Sequence, residues 1–126
     1  MTKQIQMTET QNSKQYDLEE RTLKFTKQVI KFVKHLPRTI ANIEITKQLV
    51  RASGSVGANY IEASEALSKK DFVMRVKICR KEAKESRYWL KLTEINSEDA
   101  EKQRQLLIQE ATELMKIFGA ILEKTK

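Results

Sequence analysis

The chain has 126 residues, 40% of them hydrophobic and 33% charged, with three Gly, one Pro and a formal net charge of +7. Such a length supports one domain with its own core, and so little turn material excludes a sheet protein in favour of long helices. No apolar run reaches the ~20 residues of a membrane span and no apolar h-region marks a signal peptide. The single cysteine, Cys79, excludes an internal disulfide, which leaves a reducing cytoplasm as the expected compartment.

Residues 1–16 are mostly Gln, Thr, Ser and Asn without a period, and are predicted to be a disordered tail. Asp17 followed by Glu20 is a capping-box variant that predicts the start of a first helix. The core seam of that helix is Leu18, Thr22, Phe25, Val29, Phe32 and Leu36, at alternating steps of four and three. Leu23, Thr26, Ile30 and Val33 form a flanking apolar line. Lys24, Lys27, Lys31, Lys34 and Arg38 form a basic line. Pro37 ends the helix, because its ring disfavours the helical conformation in the residue before it. His35, the only histidine, falls in the last turn, where it can offset the negative end of the helix dipole. A lone histidine does not make a metal site.

A turn over residues 38–42 leads to a second helix over 42–67. Its seam is Ile45, Leu49, Ala52, Ser53, Val56, Tyr60, Ala63 and Leu67, flanked by Ile43, Val50, Gly57 and Ile61. Residues 53–58, Ser-Gly-Ser-Val-Gly-Ala, are unusually small. Two helical glycines cost roughly 1 kcal/mol each relative to alanine, which points to close approach of a neighbouring helix or of another subunit.

Ser68 with Asp71 opens a third helix, closed at Asn96, and this helix organises the chain. At 100° per residue it divides into three faces. Phe72, Val76, Cys79, Ala83, Leu90 and Thr93 are a core seam. Lys70, Lys77, Arg80, Lys81, Lys84, Arg87 and Lys91 share an arc that holds no carboxylate. Met74, Ile78, Trp89 and Leu92 form a third, apolar face shared with Glu82 and Glu85. Ser97, with Glu98 and Asp99 in the first turn, opens a fourth helix, whose seam is Leu107, Ala111, Leu114, Phe118 and Ile121, with Ile108, Met115 and Leu122 beside it. The charge excess is localised: residues 21–38 carry +6 and residues 69–95 carry +5.

Four helices with short connections predict an all-α, antiparallel up-down four-helix bundle. Carboxylate pairs at i and i+3 (Glu62/Glu65, Glu82/Glu85 and Glu110/Glu113) invite a di-iron reading, but that chemistry also needs Glu-x-x-His motifs. Three residues before His35 stands Phe32, so the motif is missing and no cofactor is expected. With one histidine and no glycine-rich phosphate loop, an enzyme is not expected either.

Two segments, Arg51 to Ala63 (RASGSVGANYIEA) and Phe72 to Leu92 (FVMRVKICRKEAKESRYWLKL), together resemble the bacterial four-helix-bundle proteins named for intervening sequences of 23S ribosomal RNA genes. The matching residues are Ser55, Val56, Ala58, Asn59 and Glu62, then Glu82, Ala83, Glu85, Tyr88, Trp89 and Leu90. The sequence departs from the pattern at Tyr60, usually aliphatic, and at Ala63, often glycine. The resemblance implies an up-down bundle assembling as a ring-shaped homo-oligomer, a pentamer. It implies structural or subunit-contact roles for Asn59, Glu62, Glu82 and Glu85. The chain is also similar to the accessory protein of diversity-generating retroelements, a basic pentamer that works with a reverse transcriptase and nucleic acid.

The second apolar faces exceed what one core needs, and exposed contiguous apolar surface usually marks an interface. Ile30, Val33, Val50, Gly57, Ile61, Ile78, Trp89 and Leu92 are therefore the expected oligomer contacts. Lys24, Lys27, Lys31, Lys34, Lys77, Arg80, Lys84, Arg87 and Lys91 are the expected nucleic-acid contacts, reading RNA through its phosphates with little sequence preference. The alternative is a scaffold or accessory subunit whose basic face docks an acidic protein or a reverse-transcriptase-like enzyme. A membrane-surface role is disfavoured, since no helix is rich in Trp and Phe on one side.

Overall fold

A computed structural model describes residues 6–126, and for residues 6–17 the backbone alone. It consists of α1 (Gln6–Lys34), α2 (Ile40–Ser64), α3 (Lys69–Leu92) and α4 (Glu98–Lys124), with no strand among the described residues. Contacts between successive helices run in opposite residue order. Thr22 meets Gly57 and Thr26 meets Ser53; Arg51 meets Glu85 and Asn59 meets Arg75; Arg80 meets Gly119 and Arg87 meets Thr112. The helices are therefore antiparallel. α2 and α3 make the most extensive contact, α1 packs beside α2 and α4, and α1 and α3 lie on the diagonal.

Local signals account for the helix starts. The hydroxyls of Thr39, Ser68 and Ser97 accept from the backbone N–H of Asn42, Asp71 and Ala100, each at 3.0 Å. Each such cap stabilises by about 1 kcal/mol. The core forms where the four seams meet. Phe25, Val29, Leu49, Val56, Val76, Leu90, Leu114 and Phe118 are buried in it, and each large apolar side chain removed from water contributes about 1.5–3 kcal/mol.

Several boundaries differ from expectation. α1 runs unbroken through Asp17, so the capping box there does not start the helix. Of the expected tail, residues 6–16 are helical, and residues 1–5 lie outside the described residues. α2 ends at Ser64, and Leu67 is 99% exposed in the following turn rather than in the core. The N-cap of α3 at Ser68 requires extended backbone, which breaks the period just before it. α3 stops at Leu92, not Asn96. Thr93 adopts an extended conformation, and its carbonyl accepts from Arg104 Nη1 at 2.8 Å. In α4 the seam ends on buried Leu122, with Ile121 half-buried beside it.

Asn42 is not the start of α2 but a buried clasp. Its Nδ2 donates to the carbonyls of Pro37 (2.9 Å) and Glu94 (3.0 Å), and its Oδ1 accepts from the Glu94 N–H at 2.8 Å. One side chain thereby ties the α1–α2 turn to the α3–α4 turn.

The small-residue stretch serves α1. A Cβ built on Gly57 would lie 3.0 Å from Thr22 Oγ1, and Thr26 Oγ1 donates to the Ser53 carbonyl at 2.9 Å. Close approach there occurs between helices of one chain, and Gly57 faces α1.

Candidate nucleic-acid interface

On α3 the cations follow the helix repeat. Lys70, Lys77, Lys84 and Lys91 recur every seventh residue, about 10.5 Å apart along the axis, so the row is about 31 Å long. Lys77, Arg80, Lys84 and Lys91 are exposed, and Arg87 is half-buried. The row borders α4: Arg87 Nη1 donates to Thr112 Oγ1 at 3.2 Å, and Arg80 Nη1 lies 3.9 Å from where a Cβ on Gly119 would stand.

On α1, Lys24, Lys27, Lys31 and Lys34 are all exposed. Lys24 and Lys31 stand three and ten residues after Arg21, on the same flank of the helix. Arg21 reaches α4 through a bidentate pair with Glu110, at 2.7 and 2.9 Å. The two basic faces thus lie on either side of α4 and are not in contact. His35, expected in the last turn of α1, is exposed just beyond it, with its backbone N–H donating to the Phe32 carbonyl at 3.2 Å.

None of the nucleic-acid candidates on α1 or α3 is paired with a carboxylate among the described residues. The ion pairs use other cations: Arg21–Glu110, Lys47–Glu44, Arg51 with Glu82 and Glu85, Arg104–Glu101 and Lys126–Glu123. Both rows therefore keep their full positive charge.

The carboxylate pairs have structural partners. Glu82 is 7% exposed rather than sharing an open face, and it stands 3.4 Å from Arg51 Nη2. Its Oε1 accepts no hydrogen bond among the described residues. Arg51 Nη2 also donates to Glu85 at 3.2 Å, and Arg75 Nη1 donates to Asn59 Oδ1 at 3.0 Å. Asn59, Glu82 and Glu85 therefore hold α2 against α3, while Glu62 is exposed. The arginine partners were not evident in the sequence, because the pairings join residues 16 and 34 positions apart. Among the described residues no group of three His, Cys, Asp or Glu is placed to hold a metal ion. Burial pushes the Cys79 thiol up to about 12.

The expected oligomer contacts separate into two strips. Ile30 is exposed and Val33 half-buried on the flank of α1 that faces α2, level with half-buried Val50, while exposed Ile61 lies further along α2, level with Leu18. Ile78 and Trp89 (half-buried) and Leu92 (exposed) lie on α3, on the opposite edge from Lys77 and Lys84. Val33, Val50 and Trp89 also pack against the core.

This is an all-α protein of the four-helix-bundle class. The chain belongs to the family of 23S rRNA-intervening sequence proteins, whose pattern it matches over residues 14–120. It is also similar to the crystal structure of a protein of unknown function from the S23 ribosomal protein family of Bacteroides thetaiotaomicron. The TM-score is 0.76 and the identity 30%, over 87% of this chain and 98% of that one. No curated protein matches the chain. Among the described residues no helix is long and apolar enough to cross a membrane.

Proposed function

We propose that the protein is a non-enzymatic, cytoplasmic homo-oligomer that binds RNA through the cationic rows of α3 and α1. The observation that carries this reading is the row on α3: Lys77, Arg80, Lys84, Arg87 and Lys91 stand on one helix edge with no carboxylate neutralising them. Uncompensated like charges repel one another, so the row is most stable against a polyanion. The apolar strips on the α1–α2 flank and on α3 favour assembly. Two different strips on one chain suit a head-to-tail contact, which closes into a ring when the rotation permits; a pentamer is the ring we propose.

The test is fluorescence anisotropy with labelled RNA, comparing wild type with a Lys77→Glu, Arg80→Glu, Lys84→Glu variant of the same oligomeric mass. The reading expects low-salt binding that the variant loses. Absence of low-salt binding by the assembled wild type overturns it and leaves docking of an acidic protein as the role of the row.

A further inference from the structure

The cationic row of α3 contains one aromatic ring. Tyr88 is 57% exposed, far more than core packing explains. It stands four residues after Lys84 and three before Lys91, so on the helix surface it lies between two ammonium groups. Lys81, two turns earlier, continues the same edge. Trp89, half-buried against the core, meets the Tyr88 ring edge-on, with centroids 5.1 Å apart and planes at 73°. Leu92, one turn on, begins the apolar strip, so Tyr88 marks the border between the two surfaces.

A solvated aromatic ring, oriented by a neighbour and set between cations, has the elements of a single-strand platform: a π-face for a base and positive charges for the adjoining phosphates. In a duplex the bases are stacked on each other and offer no free face, so a protruding ring gains nothing there. The geometry points to Tyr88 as a base-stacking residue and to single-stranded nucleic acid as the ligand of the α3 row. This inference rests on the reading that the row binds nucleic acid. Stacking does not depend on base identity, so the contact adds affinity with little sequence preference.

The experiment uses the full chain and measures binding of a labelled oligouridylate, a labelled oligothymidylate and an RNA duplex of equal length. Wild type is compared with Tyr88→Ala and Tyr88→Phe, with the oligomeric mass of each variant measured alongside. Removing the ring is expected to lower affinity for the single strands roughly 5- to 100-fold and for the duplex far less. Tyr88→Phe is expected to retain single-strand affinity. The lone Trp89, in contact with the ring, is expected to lose fluorescence when the oligouridylate binds wild type. Equal losses on single strand and duplex, no loss at all, or a changed oligomeric mass in Tyr88→Ala overturns the assignment, the last by placing the ring in a subunit contact. If wild type binds none of the three probes, it is the underlying nucleic-acid reading that fails.

Discussion

Replacing Gly57 with alanine tests the close contact of α1 and α2, and the outcome turns on a contest of comparable terms. Alanine is favoured over glycine in a helix by about 1 kcal/mol. Against this, the added Cβ would meet Thr22 Oγ1 at 3.0 Å and Thr22 Cβ at 3.3 Å, with the Thr22 carbonyl carbon at 3.8 Å. Thr22 has little freedom to retreat. It is 1% exposed, and its hydroxyl donates to the carbonyl of Leu18 at 2.8 Å. Overfilling a packed site costs about 1–3 kcal/mol, so Gly57→Ala should lose up to about 2 kcal/mol net. Gly54, in the same helix, has Thr26 Cγ2 as its nearest neighbour at 4.0 Å. Gly54→Ala should therefore keep the helix gain and be more stable by up to ~1 kcal/mol. Urea unfolding at one fixed protein concentration reads both changes, since assembly makes apparent stability concentration-dependent. Combining Thr22→Ala with Gly57→Ala should show positive coupling, because the smaller neighbour relieves the clash. A Gly57→Ala protein stabilised as much as Gly54→Ala would refute the packing argument.

Other contacts make equally definite predictions. Asn42→Ala leaves two carbonyls and one N–H of the turns without their partner, and urea unfolding should show a loss of about 2–4 kcal/mol. Arg51→Ala strands the buried Glu82 carboxylate. Because Arg51 is half-exposed, the loss in the same assay should be about 1–2 kcal/mol, below that of a fully buried pair, and Glu82→Gln should recover part of it. In the folded protein the Cys79 thiol is held up to about 12, against an ordinary value of 9.0, chiefly by burial, and burial also raises Tyr60. A raised folded pKa gives stability that is complete below the unfolded value and is lost as pH rises through the folded one. Thermal unfolding followed from pH 8 upward should therefore show stability declining through alkaline pH, from about 9 toward 12 for Cys79. At neutral pH a thiol reagent should modify Cys79 only at the rate of opening.

The seam of α1 was legible because Leu18, Thr22, Phe25, Val29, Phe32 and Leu36 keep the helix period, and all are buried. The caps at Ser68 and Ser97 were legible because they use local chemistry. What escaped was non-local. Leu67 continues the α2 period by sequence, but extended backbone at Ser68 breaks the helix before it. Glu82 reads as a surface carboxylate from α3 alone, and it is buried because Arg51 of α2 stands beside it. Asn42 reads as a helix start, and its clasp depends on Glu94 in a distant turn. The cations of the candidate interface were readable by residue and by face. Their placement on opposite sides of α4 was not, since it follows from α1 and α3 lying on the bundle diagonal.

The most direct measurement is the affinity of the assembled protein for single-stranded RNA as a function of salt. If Lys77, Arg80, Lys84, Arg87 and Lys91 all engage phosphates, log affinity should fall linearly with log salt at a slope of roughly −3.5. The Lys77→Glu, Arg80→Glu, Lys84→Glu variant should lose most of that dependence along with the binding. A slope near zero, or a variant indistinguishable from wild type, would contradict the assignment of the α3 row to nucleic acid.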